Sequence, residues 1–126
     1  MKAAYLVDAH VLLWAADRSD LLSETAHSIL NQPDNLIFVS SATLWELAIK
    51  CNVGKLALPS DFFETVQACG YQILPLLPTH LEAYRHLPLH HRDPFDRILI
   101  AQARIEDLTL LSADSAFGDY GVRLEW

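Results

Sequence analysis

Three short runs, AAYLV (3–7), LIFVS (36–40) and LTLLS (108–112), are apolar at nearly every position rather than at every second one. A strand of this kind cannot leave one face to water. It must be covered on both faces, and that is the habit of parallel sheets whose connections are helices. The stretches between these runs carry helical spacing and helix signals. HVLLWAAD (10–17) follows the first run at once. SETAHSILNQ (23–32) has Ser23 as N-cap and stops before Pro33. SATLWELAIKC (41–51) is closed by Gly54, and PSDFFETVQACG (59–70) is capped by Ser60 and ended by Gly70. THLEAYRHL (79–87) is short, and DPFDRILIAQARIED (93–107) is the longest. QILPL (72–76), cut short by Pro75, and VRLEW (122–126) are further strand candidates, and SAFGDYG is a turn or single helical turn. The alternation predicts an α/β fold: a parallel sheet of four to five strands, covered by helices on both sides. At 126 residues and 52% hydrophobic composition the chain forms a single domain, 1–126, with a core that needs no disulfide or structural metal.

In such a sheet, ligands bind outside the carboxyl ends of the strands. Asp8 is the first residue after the first strand, and Asp114 lies just beyond LTLLS. Both should reach the same edge. Glu46 lies in the helix after LIFVS, and Asp93 and Asp96 open the long helix that leads into LTLLS. Each acid also has a purely structural reading. Asp8 can cap the helix of HVLLWAA, and Glu46 can pair with Lys50 four residues on. Asp114 can cap SAF. Asp93-Pro94 with Asp96 at the third helical position is a strong helix start. Converging carboxylates repel unless a proton or a cation intervenes, and a hard divalent ion, Mg²⁺ or Mn²⁺, is the natural solution.

Other chemistry has little support. The histidines His80, His86, His90 and His91 crowd one segment but match no zinc spacing, and they read as loop and helix-surface residues. His10 reads as cover for the first helix. The four glycines form no phosphate loop, no GxSxG elbow occurs, and neither Cys51 nor Cys69 has a base beside it. Two lone cysteines and the absence of an export signal fit a reducing cytoplasm, and no apolar stretch is long enough for a membrane span. The net charge of −7 argues against a surface given over to nucleic acid but allows a local site acting on one.

Taken together, YLVDAHVLLW, SSATLWELAIKCNVGKLALP and HHRDPFDRILIAQARIEDLTLLSADSAFGDYGVRLEW resemble the PIN-domain family, especially the VapC-type toxins of bacterial toxin–antitoxin pairs. The resemblance spans almost the whole chain, in order and spacing. It implies a PIN-like α/β/α sandwich and a Mg²⁺- or Mn²⁺-dependent endoribonuclease. The family's acids fall on Asp8, Glu46, Asp96 and Asp114, as catalytic and metal-binding residues, and Asp93 is implied to stand just outside the ligand set. Asp8 and Asp96 are the direct ligands in this reading, and Lys50, Arg92 and Arg97 are candidates for holding the RNA backbone. One departure from the family pattern matters. Ala9 occupies the place where Thr or Ser often sets a hydroxyl near the metal, so Ser40, Ser41 or Ser112 would have to supply it. The implied partners are RNA, a cognate antitoxin that covers the acidic site and itself binds DNA, and a second copy of the chain. Trp14, Trp45, Leu56 and Leu58 are candidates for that homodimer interface; no DNA-binding motif is visible in this chain.

Two rivals differ by what they need. A phospho-receiver-like domain needs an acidic pair after the first strand and a late lysine, and no lysine follows Lys55. A catalytically inactive PIN-like binding module would lack some of the four acids, and all are present.

Overall fold

A computed structural model describes residues 3–126. Five strands run in parallel in the order β3-β2-β1-β4-β5: β1 Ala4–Val7, β2 Leu36–Ser40, β3 Gln72–Leu74, β4 Thr109–Leu111 and β5 Leu124–Glu125. The central strand β1 pairs with β2 through Ala4–Leu36 to Val7–Val39, and with β4 through Tyr5–Thr109 to Val7–Leu111. The helices are α1 Ala9–Asp17, α2 Glu24–Asn31, α3 Ser41–Asn52, α4 Phe62–Ala68, α5 Pro78–Arg85 and α6 Pro94–Glu106. Two 3₁₀ turns, Ser19–Leu21 and Ser115–Tyr120, complete the order; the first had no counterpart in the sequence reading.

Successive strand residues point to opposite faces, and the core divides accordingly. Leu6 and Leu110 enter one cluster with α6 residues Ile98, Leu99, Ile100, Ala101 and Ala103, together with Phe117 and Tyr120. Val7, Val39 and Leu111 enter the other, with Val11 and Leu12 of α1, Ala26 and Ile29 of α2, and Phe62 and Val66 of α4. Helix α3 serves both, through Ala42 on one side and Leu47 on the other. The strands are apolar throughout because each alternate residue meets a different helical layer. The α/β/α sandwich is thus as expected, at the upper end of the expected strand count.

The helix ends follow the predicted chemistry in most places. Ser23 accepts from Ala26 N at 3.0 Å as predicted, while Ser40, for which no cap was predicted, accepts from Ala42 N at 3.1 Å and caps α3. Gly54 takes φ 79° just past α3, where Lys55 N bonds back to Lys50 O at 2.9 Å and closes the helix. Helix α4 is shorter than predicted. Ser60 does not cap it, because Phe62 N turns back to Pro59 O at 3.1 Å and the helix starts only after that turn.

His80 corrects the reading of the histidines as surface residues. It is completely buried, and its Nδ1 accepts from Leu77 N at 3.0 Å at the start of α5. The ring replaces the side-chain half of a capping box and lies 3.4 Å from Nε2 of the buried Gln102 on α6. Both cysteines are free thiols.

Candidate metal centre

The carboxyl ends of β1 and β4 are neighbours, and this adjacency builds the site. Asp8 directly follows β1 and caps α1, its Oδ1 accepting from Val11 N at 2.9 Å. Its Oδ2 accepts from the hydroxyl of Ser112, which stands just past β4. Both residues are buried, Asp8 at 6% exposure and Ser112 at 1%. Ser112 Oγ also accepts from Asp114 N at 3.0 Å, so one hydroxyl ties two acids of the site together. Of the three serines named as candidate sources of a hydroxyl in place of Ala9, Ser112 is the one bonded to acids of this edge. Of the other two serines proposed for that role, Ser40 caps α3 and Ser41 Oγ accepts from Leu76 N at 3.1 Å.

Capping and site duties are divided between the two oxygens of an acid. Asp114 Oδ1 accepts from Ala116 N at 3.0 Å and starts the second 3₁₀ turn, while its Oδ2 lies 4.0 Å from His91 Nε2. Asp93 is the N-cap of α6, its Oδ1 accepting from Phe95 N at 2.9 Å with Pro94 in the first turn. Asp96, in that first turn, points Oδ2 to within 3.5 Å of His91 Nε2. Oxygen and nitrogen atoms of His91, Asp96 and Asp114 all fall within 4.8 Å of one another. Glu46 reaches the same region from α3: its side chain is only 14% exposed and pairs with Lys50 Nζ at 3.3 Å.

The electrostatics are those of a cluster short of positive charge. Burial pushes the Asp96 carboxyl up to about 7; the negative charge of Asp93 adds to this, His91 opposes it, and Glu46 and Asp8 raise it further. The Asp8 carboxyl is also raised, first by burial, with the bonds from Ser112 and Val11 holding it down. Among the described residues, no lysine or arginine lies within ion-pair distance of Asp8, Asp96 or Asp114. Half-buried carboxylates drawn together without a cation of the chain's own are a fitting set of hard oxygen donors for a divalent ion.

The structure corrects two sequence readings here. Arg97, taken as a candidate for holding RNA, is turned away and tied down. It donates to Leu87 O at 3.2 Å and Tyr84 Oη at 3.4 Å and lies over the Tyr84 ring at 4.8 Å. His91, read as a loop residue with no part in the site, does lie in a loop but stands among the acids. Its position depends on α6 meeting the β4 edge, and no spacing in the sequence signals that. Arg92 is exposed, and Lys50 is partly occupied by Glu46. Trp45 is 61% exposed and packs edge-on against Phe95 at 5.5 Å, one residue before Glu46 and Asp96 respectively. Trp14 is half-buried between His10 and Trp126, which agrees with His10 as cover for α1.

The family model described as PIN domain matches residues 5–122. No curated protein matches the chain. Among solved structures, the VapBC2 complex of Rickettsia felis bound to a DNA fragment from its promoter aligns with TM-score 0.75 and 17% identity, covering 97% of each chain. DNA-bound VapBC of Salmonella typhimurium aligns with TM-score 0.73 and 15% identity, over 98% of this chain and 97% of that one. FitAB bound to a DNA fragment gives 0.68 and 16%, over 96% and 93%. At these identities the likeness is one of fold.

Proposed function

The chain belongs to the PIN-domain family, and from that premise we propose that it is a divalent-metal-dependent endoribonuclease, the toxin of a toxin–antitoxin pair. The observation that carries the reading is the gathering of Asp96 and Asp114 with His91 within 4.8 Å of one another, with Glu46 and Asp8 near enough to raise the Asp96 carboxyl and too little positive charge to balance them. Asp8 and Asp96 are the proposed direct ligands of Mg²⁺ or Mn²⁺, and Glu46 and Asp114 complete the set. A bound divalent ion supplies a water of lowered pKa and offsets the charge of an RNA phosphate.

The chain's own residues prepare the place. The Ser112 hydroxyl bond favours the ionised form of Asp8 against the burial that raises its carboxyl. The Asp93–Pro94 start of α6 aims Asp96 inward. A carboxyl whose pKa lies near 7 can release its proton as the ion arrives. With all four acids present, this arrangement favours an active enzyme over an inactive binding module.

The VapBC and FitAB structures are complexes, which supports an antitoxin partner for this chain. An antitoxin arginine on Asp96 or Asp114 would supply the cation that the chain lacks. Homodimerisation is proposed through the exposed apolar stripe of α3 and its C-cap, Trp45, Ile49 and Val53. Trp14, Leu56 and Leu58, also proposed from the sequence, are at least half-buried in the α1-side core and contribute less free surface. No helix among the described residues is long and apolar enough to cross a membrane, and a cytoplasmic location is proposed.

The deciding experiment is RNA cleavage by the purified protein with Mg²⁺ or Mn²⁺, compared with EDTA and with Asp8→Asn and Asp96→Asn, each checked by a melting curve. Folded variants that cut as fast as the wild type would refute the site.

A further inference from the structure

His91 stands among the carboxylates at a position where it could be mistaken for a metal ligand. Its other ring nitrogen argues otherwise. Nδ1 accepts the backbone N–H of Asp93 at 3.1 Å. A backbone amide can only donate, so the Nδ1 lone pair is engaged and the neutral ring carries its proton on Nε2. A protonated Nε2 has no lone pair for a metal. Turning the ring to the other tautomer would set Nδ1–H against Asp93 N–H, two donors face to face. The backbone is fixed as well: His91 N donates to the hydroxyl of the buried Tyr120 at 2.8 Å.

The Nε2–H thus faces the acids as a donor. Its distances to Asp96 Oδ2, 3.5 Å, and Asp114 Oδ2, 4.0 Å, are too long for close hydrogen bonds, so the donor retains capacity. The side chain is 27% exposed, open to an incoming group. An anion entering a cleft of carboxylates needs donors in fixed positions, and here Lys50 is already committed to Glu46.

We propose that His91 is a substrate-binding residue: its Nε2–H, locked in that tautomer by the Asp93 amide, donates to a non-bridging oxygen of the RNA phosphate and does not ligate the metal. The assignment rests on the nuclease reading for the identity of the anion. It gives the loop before α6 two functions, since Asp93 caps the helix with its carboxylate and sets the His91 proton with its amide.

The test separates donor from ligand. In the wild-type protein, ¹⁵N-histidine NMR should show the Nε2-protonated tautomer of His91 with and without Mg²⁺, and Mn²⁺ EPR should show no nitrogen coupling. Binding of a mixed-sequence single-stranded RNA oligonucleotide, with Ca²⁺ replacing Mg²⁺ to hold back cleavage, should weaken roughly tenfold in His91→Leu, the loss for one hydrogen bond to a charged group. His91→Gln, which keeps an N–H near the Nε2 position, should recover much of that binding, and Mn²⁺ affinity should stay near wild type in both. An Nδ1-protonated ring, a nitrogen coupling to Mn²⁺, RNA binding unchanged in His91→Leu, or a loss of Mn²⁺ affinity beyond the roughly 10- to 100-fold of a residue that only supports a metal site overturns the proposal. A wild-type protein that neither binds nor cuts RNA sinks the nuclease reading and this role with it, whereas a nuclease with His91 on the metal sinks the role alone.

Discussion

The hydroxyl of Ser112 donates to Oδ2 of Asp8, joining residues 104 apart in sequence across the seam between β4 and β1. Both are buried, and the bond opposes the burial that raises the Asp8 carboxyl. Ser112→Ala should therefore cost about 1–3 kcal/mol of stability at pH 7, the range for a hydrogen bond to a charged group with its partner left buried. It should also weaken Mg²⁺ binding, because ionising Asp8 becomes harder. Urea unfolding and Mg²⁺ titration check the two effects. An unchanged unfolding midpoint would mean that Asp8 is solvated and that the hydroxyl is incidental.

Asp96 gives the pH dependence its sign. Its folded carboxyl, near 7, lies above the unfolded value of 3.8. The folded state holds more protons in that window, so the contribution of Asp96 to stability falls as pH rises from about 4 to about 7 and is flat beyond. Asp96→Asn removes the ionisation. It should raise the melting temperature of the metal-free protein at pH 8 and change it less at pH 5. Mg²⁺ binds the ionised form, so the Mg²⁺-induced rise in melting temperature should grow between pH 5 and pH 8 in the wild type. In Asp96→Asn it should be small throughout. A metal effect independent of pH would remove Asp96 from the ligand set.

Asp93 should behave differently from Asp96. Asn caps helices as well as Asp does, so Asp93→Asn should keep stability and most metal binding, whereas Asp93→Ala should lose about 1 kcal/mol. The negative charge of Asp93 raises the Asp96 carboxyl. Its removal in Asp93→Asn should shift the acid limb of the activity profile to lower pH. Loss of metal binding in Asp93→Asn equal to that in Asp96→Asn would make Asp93 a ligand.

Arg97 should matter for folding rather than for RNA. Its contacts with Leu87 O and the Tyr84 ring hold the α5–α6 connection to α6. Arg97→Ala should cost about 1–3 kcal/mol through the lost bonds and cation–π contact. RNA affinity of the folded variant, measured below its melting point, should be unchanged. A selective loss of RNA binding without loss of stability would return Arg97 to the substrate side.

Much was readable from the sequence because it is local. Runs that are apolar at nearly every position required strands covered on both faces. Asp-Pro, Ser and Gly marked helix ends through bonds that span only a few residues. Asp8 and Asp114 were placed at one edge because both follow strands of a parallel sheet. The same local rules made capping and metal binding look like alternatives for each acid. The structure shows that Asp114 caps with one oxygen and faces His91 with the other, and that Asp8 caps with Oδ1 and takes the Ser112 hydroxyl on Oδ2.

Only the tertiary structure decided which distant groups meet. Pairing of β1 with β4 brings the Ser112 hydroxyl to Asp8. Packing of α6 brings His91 between Asp96 and Asp114 and turns Arg97 toward Tyr84, away from them. Periodicity along a chain fixes which face of an element is apolar. Strand order and the docking of helices depend on how all the faces are buried at once, and contacts across a hundred residues are set by that global solution rather than by any local pattern.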